Sequence, residues 1–245
     1  MMNQDEKVRR LAYWLLKDVN RAINDFEMIA DGDRIAVAVS GGKDSLSLLR
    51  LLDWRRNSVP EDYELVAIHV SGDARGPRIP PHKPLLDWLE GNGYEHAVEP
   101  IYLPEGEQLP MDCHRCTWNR RRTIFEAAHR LDCNVVALGH HGDDLAETTL
   151  INLLYHGKVE TMAPVADYFD GTFQLIRPLC YLAEGEIKRF AALGDYPAPP
   201  PTCPQHDQSK RALMAELLQK AIKNCQDARV NLLQAGLRGT MKGES

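Results

Sequence analysis

The chain has 245 residues, 44% hydrophobic and 26% charged, which suits one large α/β domain with small appendages. Its 29 basic and 35 acidic residues give a net charge of −6, so the basic excess typical of a nucleic-acid binder is absent, although a local basic stripe remains compatible. No run approaches the roughly 18 apolar residues of a membrane span, and the charged start MMNQDEKVRRLAYW has no apolar signal core, so a cytoplasmic protein without membrane contact is expected.

Leu11, Trp14, Leu15, Val19, Ala22, Ile23 and Phe26 recur at helical spacing and predict a helix over 5–30, stopped by Asp31-Gly32-Asp33. The β-branched run 34–39 reads as a buried parallel strand that enters SGGKDS and then a leucine-rich helix. Further strands are expected over 63–70, 96–103, 134–139 and 173–178, with helices around 85–92, 117–131 and 145–155. A helical pattern over 210–235 closes the chain after the proline-rich stretch APPPTCP. Alternation of this kind predicts an α/β fold, a doubly wound and mostly parallel sheet.

Ser40-Gly41-Gly42-Lys43-Asp44-Ser45 sits between the first strand and its helix. A glycine pair there lets the backbone approach a phosphate, and the N–H groups and dipole of the helix favour the anion. Lys43 adds a point charge, and Ser40 and Ser45 add hydroxyls. The G-x-x-x-x-G-K-[ST] spacing is absent, which favours chemistry at the α-phosphate over γ-phosphate transfer. Gly139-His140-His141-Gly142-Asp143-Asp144 follows the fourth strand and so reaches the same sheet edge, where open α/β sheets bind ligands. Its carboxylates suit Mg²⁺ on a nucleotide, while a polar cap with an acidic first helical turn is the plainer alternative. His69, on the second strand, joins Gly139, His140, Asp143 and Asp144 as a nucleotide-binding candidate.

Six cysteines in such a chain are core residues, metal ligands or catalytic thiols rather than disulfides. Cys133, Cys180 and Cys225 read as structural, with Cys225 inside the last helix. Cys113 and Cys116 form a C-x-x-C that leaves three readings open. These are a redox pair, a zinc knuckle completed by Cys203 and His206, and an iron–sulfur cluster on three thiolates with one open iron. Arg120, Arg121 and Arg122 follow as candidate RNA contacts, beside the plainer reading of a solvated helix face.

SGGKDS resembles the SGGxDS signature of the PP-loop, or N-type ATP pyrophosphatase, superfamily, which implies an adenine nucleotide alpha hydrolase-like fold and cleavage of ATP between its α- and β-phosphates. Together with GHHGDD, Tyr155-His156-Gly157-Lys158 and C-x-x-C leading into an arginine-rich helix, it is similar to the TtcA family, whose members make 2-thiocytidine in tRNA. The resemblance implies an ATP-dependent tRNA thiotransferase with Lys43, Asp44, Asp143, Cys113 and Cys116 in catalysis and Ser40 to Ser45 on ATP. It also implies a [4Fe–4S] cluster on Cys113, Cys116 and Cys203, with Zn²⁺ and His206 as the alternative. This sequence has Cys203 and then His206 where that family shows a second C-x-x-C. Expected partners are tRNA or a small nucleobase-like substrate, and a cysteine desulfurase or free sulfide as sulfur donor, with a homodimer left open. Competing readings are a PP-loop ligase and a small-molecule thiolase, each with structural zinc. The expected organisation is an N-terminal helix over 1–30, a PP-loop catalytic domain over 31–197, and a cysteine-bearing loop with a C-terminal helix over 198–245.

Overall fold

The computed structural model describes residues 3–201 and 210–242. Six strands, β1 (Asp33–Ala38), β2 (Tyr63–Ser71), β3 (His96–Pro100), β4 (Val135–Ala137), β5 (Val165–Tyr168) and β6 (Phe173–Ile176), form one sheet in the order β3-β2-β1-β4-β6-β5. All pairings are parallel except that of β5 with β6. Alternation along the strands fills two cores at once. Ile35, Val37, Leu65, Ala67, Val135 and Ala137 face one apolar cluster, while Ala36, Val66, Ile68 and Val136 face the other. Helices cover both faces, as the doubly wound reading requires.

The helices are α1 (Gln4–Asp25), α2 (Lys43–Arg55), α3 (Lys83–Gly91), α4 (Cys113–Arg130), α5 (Gly142–His156), α6 (Glu184–Leu193), α7 (Lys210–Asn224) and α8 (Ala228–Lys242). α1 packs on α2 and α6, and α5 packs on α7 and α8.

The structure corrects several expectations. α1 ends at Asp25 rather than 30, its final N–H bonds closing at Phe26. Trp14, expected on the apolar face, is 55% exposed, because Val8, Ala12, Leu15, Val19 and Ala22 fill the buried face without it. The antiparallel strand β5 is short and half-buried and carries no clear alternation. α6 was not anticipated, although Ile187 and Phe190 are buried at helical spacing behind a Glu186 carboxylate that accepts from Ala183 N at 2.7 Å. The single C-terminal helix is two, broken between Asn224 and Ala228, so Cys225 lies between helices and is exposed.

Candidate functional site

The C-terminal ends of β1 and β4 and the N-termini of α2 and α5 meet at one edge of the sheet. β1 leaves its last residue into Ser40, and Gly41 adopts φ +86, a conformation that favours glycine. A Cβ on Gly41 would also stand 3.0 Å from Pro200 Cδ, so the chain beyond α6 lies against this turn. Gly42 caps α2. The loop is held open by its own hydroxyls. Ser45 Oγ donates to Gly42 O at 2.9 Å and accepts from Ser40 N at 3.2 Å, and Gly42 N donates to Ser40 Oγ at 3.3 Å. The first turn of α2 therefore presents its N–H groups at the sheet edge.

Lys43 Nζ lies 3.0 Å from Asp44 Oδ2 and 3.1 Å from Glu184 Oε1. Burial alone would lower its pKa, but the two carboxylates win and raise it, so Lys43 is a fixed cation. Glu184, the first residue of α6, was not foreseen in the sequence. Its backbone N–H donates to Asp143 Oδ2 at 2.8 Å, which turns Asp143 toward the start of α6. Asp44 Oδ1 is buried without a hydrogen-bond partner, 3.7 Å from His141 Nε2.

Beside the loop opens a cavity of about 330 Å³. Ile68, Val70, Leu138 and Ile124 give it apolar walls, and Ser40, Asp44, Ser45, Arg121, His140 and Asp144 supply polar ones. That is the pattern of a small-ligand site, mostly apolar with a few placed polar groups. Gly139 makes the cavity edge tight, since a Cβ there would sit 3.1 Å from Asp44 C and Ser45 N.

The two histidines divide their work. His141 caps α5, its N–H donating to Asp144 Oδ2 at 2.9 Å. His140 lines the cavity with Nδ1 unpartnered, and burial, helped by the charge of Arg177, drives its pKa down to about 3. It is a neutral hydrogen-bonding group rather than a phosphate clamp. Arg177, just after β6, is buried, donates to Ala163 O and has Nε unpartnered. Burial, and then the like charge of Arg121, lower its pKa to about 10. His69 is buried behind the cavity, its Nδ1 2.9 Å from Val39 O and its pKa lowered by burial.

The arginine run divides in two. Arg120 and Arg121 both line the cavity, Arg120 while donating to Val70 O at 3.1 Å and Gly72 O at 2.7 Å, and Arg122 pairs with Glu126 at 2.7 Å over the Tyr102 ring. Arg211 of α7 reaches in from the far end of the chain, 3.5 Å from Asp144 Oδ1 and 3.6 Å from Glu147 Oε2.

Cys113 opens α4, whose cap is the Asp112 carboxylate accepting from Arg115 N at 2.8 Å. It is exposed, Cys116 is half-buried, and Thr117, on the next turn, lines the cavity. Thr117 and Arg120 line the cavity, and by helical spacing Cys113 and Cys116 lie one turn before them on α4. Cys133 and Cys180 are buried, with pKa values pushed up to about 11 and about 12 by burial, and their thiols are inert. Cys203 and His206 lie outside the described residues, and no group of three His, Cys, Asp or Glu suited to a metal occurs among the described ones. No described helix is long and apolar enough to cross a membrane.

No family model matches the chain. It is 36% identical over 239 residues to the tRNA-cytidine(32) 2-sulfurtransferase of Anaeromyxobacter dehalogenans (strain 2CP-C), covering 94% of this chain and 80% of that one. It is also 36% identical over 217 residues to the protein of that name from Erwinia tasmaniensis, covering 86% and 69%. Among solved structures, the U34-tRNA thiolase NcsA from Methanococcus maripaludis with its [4Fe-4S] cluster superposes with a TM-score of 0.74 at 21% identity. The match covers 94% of this chain and 79% of NcsA, so the two share a fold.

Proposed function

The chain belongs to the tRNA-cytidine(32) 2-sulfurtransferase family, and we propose that it uses ATP to adenylate the C2 carbonyl oxygen of a tRNA cytidine and then replaces that oxygen with sulfur. The observation that carries this reading is an apolar-walled cavity with a phosphate-type loop on one side and the cysteine-bearing helix α4 on another.

Ser40 to Ser45 and the α2 N-terminus bind the β- and γ-phosphates, with Lys43 as a permanent countercharge. The base oxygen attacks the α-phosphorus, and pyrophosphate leaves onto the loop. This converts a poor leaving group into AMP. Neutral His140 hydrogen-bonds the nucleotide or base without adding charge, and Arg121 faces the same space. Asp44 and Asp144 line the cavity, and the orphaned Asp44 Oδ1 fits a cation ligand. Mg²⁺ held there would neutralise charge developing on the phosphates.

For the sulfur step, Cys113 and Cys116 supply two thiolates whose donor chemistry fits iron–sulfur ligation. Pro200 abuts Gly41, and Cys203 follows it by three residues in the sequence. A [4Fe–4S] cluster held by these three residues would supply sulfur to displace AMP, which departs with the former carbonyl oxygen. Free sulfide replenishes this sulfur directly, whereas sulfane sulfur from a cysteine desulfurase is first reduced by two electrons from an external thiol.

The test is anaerobic turnover of the iron-reconstituted full chain with ATP, sulfide and an unmodified tRNA transcript. The expected result is 2-thiocytidine in the nuclease digest, with AMP and pyrophosphate formed together. Release of ADP, or zinc in place of iron in protein that still thiolates, would overturn the corresponding half of the proposal.

A further inference from the structure

Apart from Arg21, which packs over the Tyr181 ring, the outward face of α1 takes no part in the site described above. Lys7, Arg10, Trp14, Lys17 and Arg21 follow one another at spacings of three and four, so they form one stripe along the helix. All five are exposed, Trp14 at 55%, with Tyr13 beside it at 61%. A tryptophan this exposed is uncommon, because its large apolar surface normally gains from burial. Lys17 Nζ lies 3.9 Å from the centroid of the Trp14 ring and 4.9 Å from that of Tyr13, and the two rings meet edge-on at 5.6 Å, which orders the exposed aromatic pair.

Among the described acids near the stripe, one is paired within it and two are engaged elsewhere. Glu6 accepts from Asn3 N at 3.1 Å, Asp18 pairs with Arg21 at 3.1 Å, and Asp25 accepts from Tyr181 Oη at 2.9 Å. The face is cationic on a chain whose net charge is −6.

We propose that this face of α1 docks the substrate RNA, with Trp14 stacking on an unpaired base and the cations on backbone phosphates. The inference rests on the tRNA reading above and places a second contact remote from the reacting base. Stacked aromatics interleaved with cations are how single-stranded RNA is held. Gln4 Nε2 donates to Leu193 O at the end of α6, and Asn20 Oδ1 accepts from Arg55 Nε at the end of α2, so α1 lies toward the edge of the sheet opposite the cavity. A macromolecular substrate, and not a mononucleotide, can touch this face while its target base is in the cavity. A second copy of this face is a poor occupant, since two-fold docking would bring its cations together. Insertion in an anionic membrane is equally poor, because the apolar side of α1 is already in the core.

The experiment titrates the full chain with fluorescently labelled, unmodified tRNA at several salt concentrations. It compares Trp14→Ala, Trp14→Phe and a Lys7→Glu/Lys17→Glu pair, all outside the catalytic machinery. Trp14→Ala is expected to weaken binding about tenfold, with Trp14→Phe recovering most of it. The charge pair is expected to flatten the dependence of log affinity on log salt by about one or two. Melting temperature and ATP binding should be unchanged. Equal affinity and slope in all variants would overturn the proposal, as would variants that change self-association or binding to anionic vesicles but not RNA binding. If the unmodified chain binds no tRNA while binding ATP, the α1 surface falls together with the tRNA reading, whereas intact RNA binding in the variants removes the α1 surface alone.

Discussion

Replacing Glu147 by glutamine is predicted to stabilise the protein by an amount that grows with pH. The Glu147 side chain is 12% exposed and faces Asp144, Asp143 and Glu184, with Arg211 as its cationic neighbour at 3.6 Å. Burial, then the charge of Asp144, raise its pKa from the ordinary 4.5 to about 7, so the long contact with Arg211 loses to desolvation. The unfolded chain releases this proton near 4.5, and the native state holds it to about 7. Between those values the native state binds more protons, so the favourable contribution present in acid is lost as pH rises. A shift of that size is worth about 3 kcal/mol, and local relaxation around a partly wet carboxylate reduces it to roughly 2 kcal/mol. Glutamine keeps the shape and stays neutral, so Glu147→Gln should match the unmodified chain near pH 4.5 and exceed it by roughly 2 kcal/mol at pH 8. Urea unfolding at closely spaced pH values, without ATP or metal, measures this. A pH-independent difference, or a variant less stable at pH 8, would show that the Arg211 ion pair dominates and refute the reasoning.

Gly139→Ala should leave the fold intact but weaken ATP binding at least tenfold, since its Cβ must displace the backbone of Asp44 and Ser45 at 3.1 Å; calorimetry with a non-hydrolysable ATP analogue reads it. Lys43→Ala should reduce AMP formation by about a hundredfold or more, the scale of losing a charge that stabilises the transition state, while circular dichroism stays unchanged. Alanine at Cys113, Cys116 or Cys203 should abolish the brown chromophore and thiolation together and spare ATP binding. Iron, sulfide and zinc assays that also include His206→Ala decide between the cluster and zinc. Full iron loading of Cys203→Ala would remove that residue from the ligand set.

What the sequence disclosed were the parts in which local pattern and chemistry coincide. A buried β-branched strand that ends in Gly-Gly before a helix can be read from one short window, and both SGGKDS and GHHGDD fall where β1 and β4 deliver them. Glu184 and Arg177 escaped because they reach the site from distant elements, and no local periodicity marks such partners. The arginine run was legible as a cluster but not in its division, since helical geometry sends Arg120 and Arg121 to the cavity and Arg122 to Glu126 and the Tyr102 ring. Trp14 was misplaced because apolar spacing counts a residue's type, whereas burial depends on whether smaller neighbours have already filled the face. The break at Cys225 had no glycine or proline to announce it.

The most direct measurement of the central claim follows the oxygen that is replaced. A tRNA carrying oxygen-18 at C2 of the target cytidine is thiolated by the full chain, and the nucleotide product is examined by mass spectrometry. Adenylation of that oxygen followed by displacement predicts that the label appears in the phosphate of AMP in step with 2-thiocytidine. Thiolated tRNA formed alongside unlabelled AMP, or with ADP as the nucleotide product, would contradict the account.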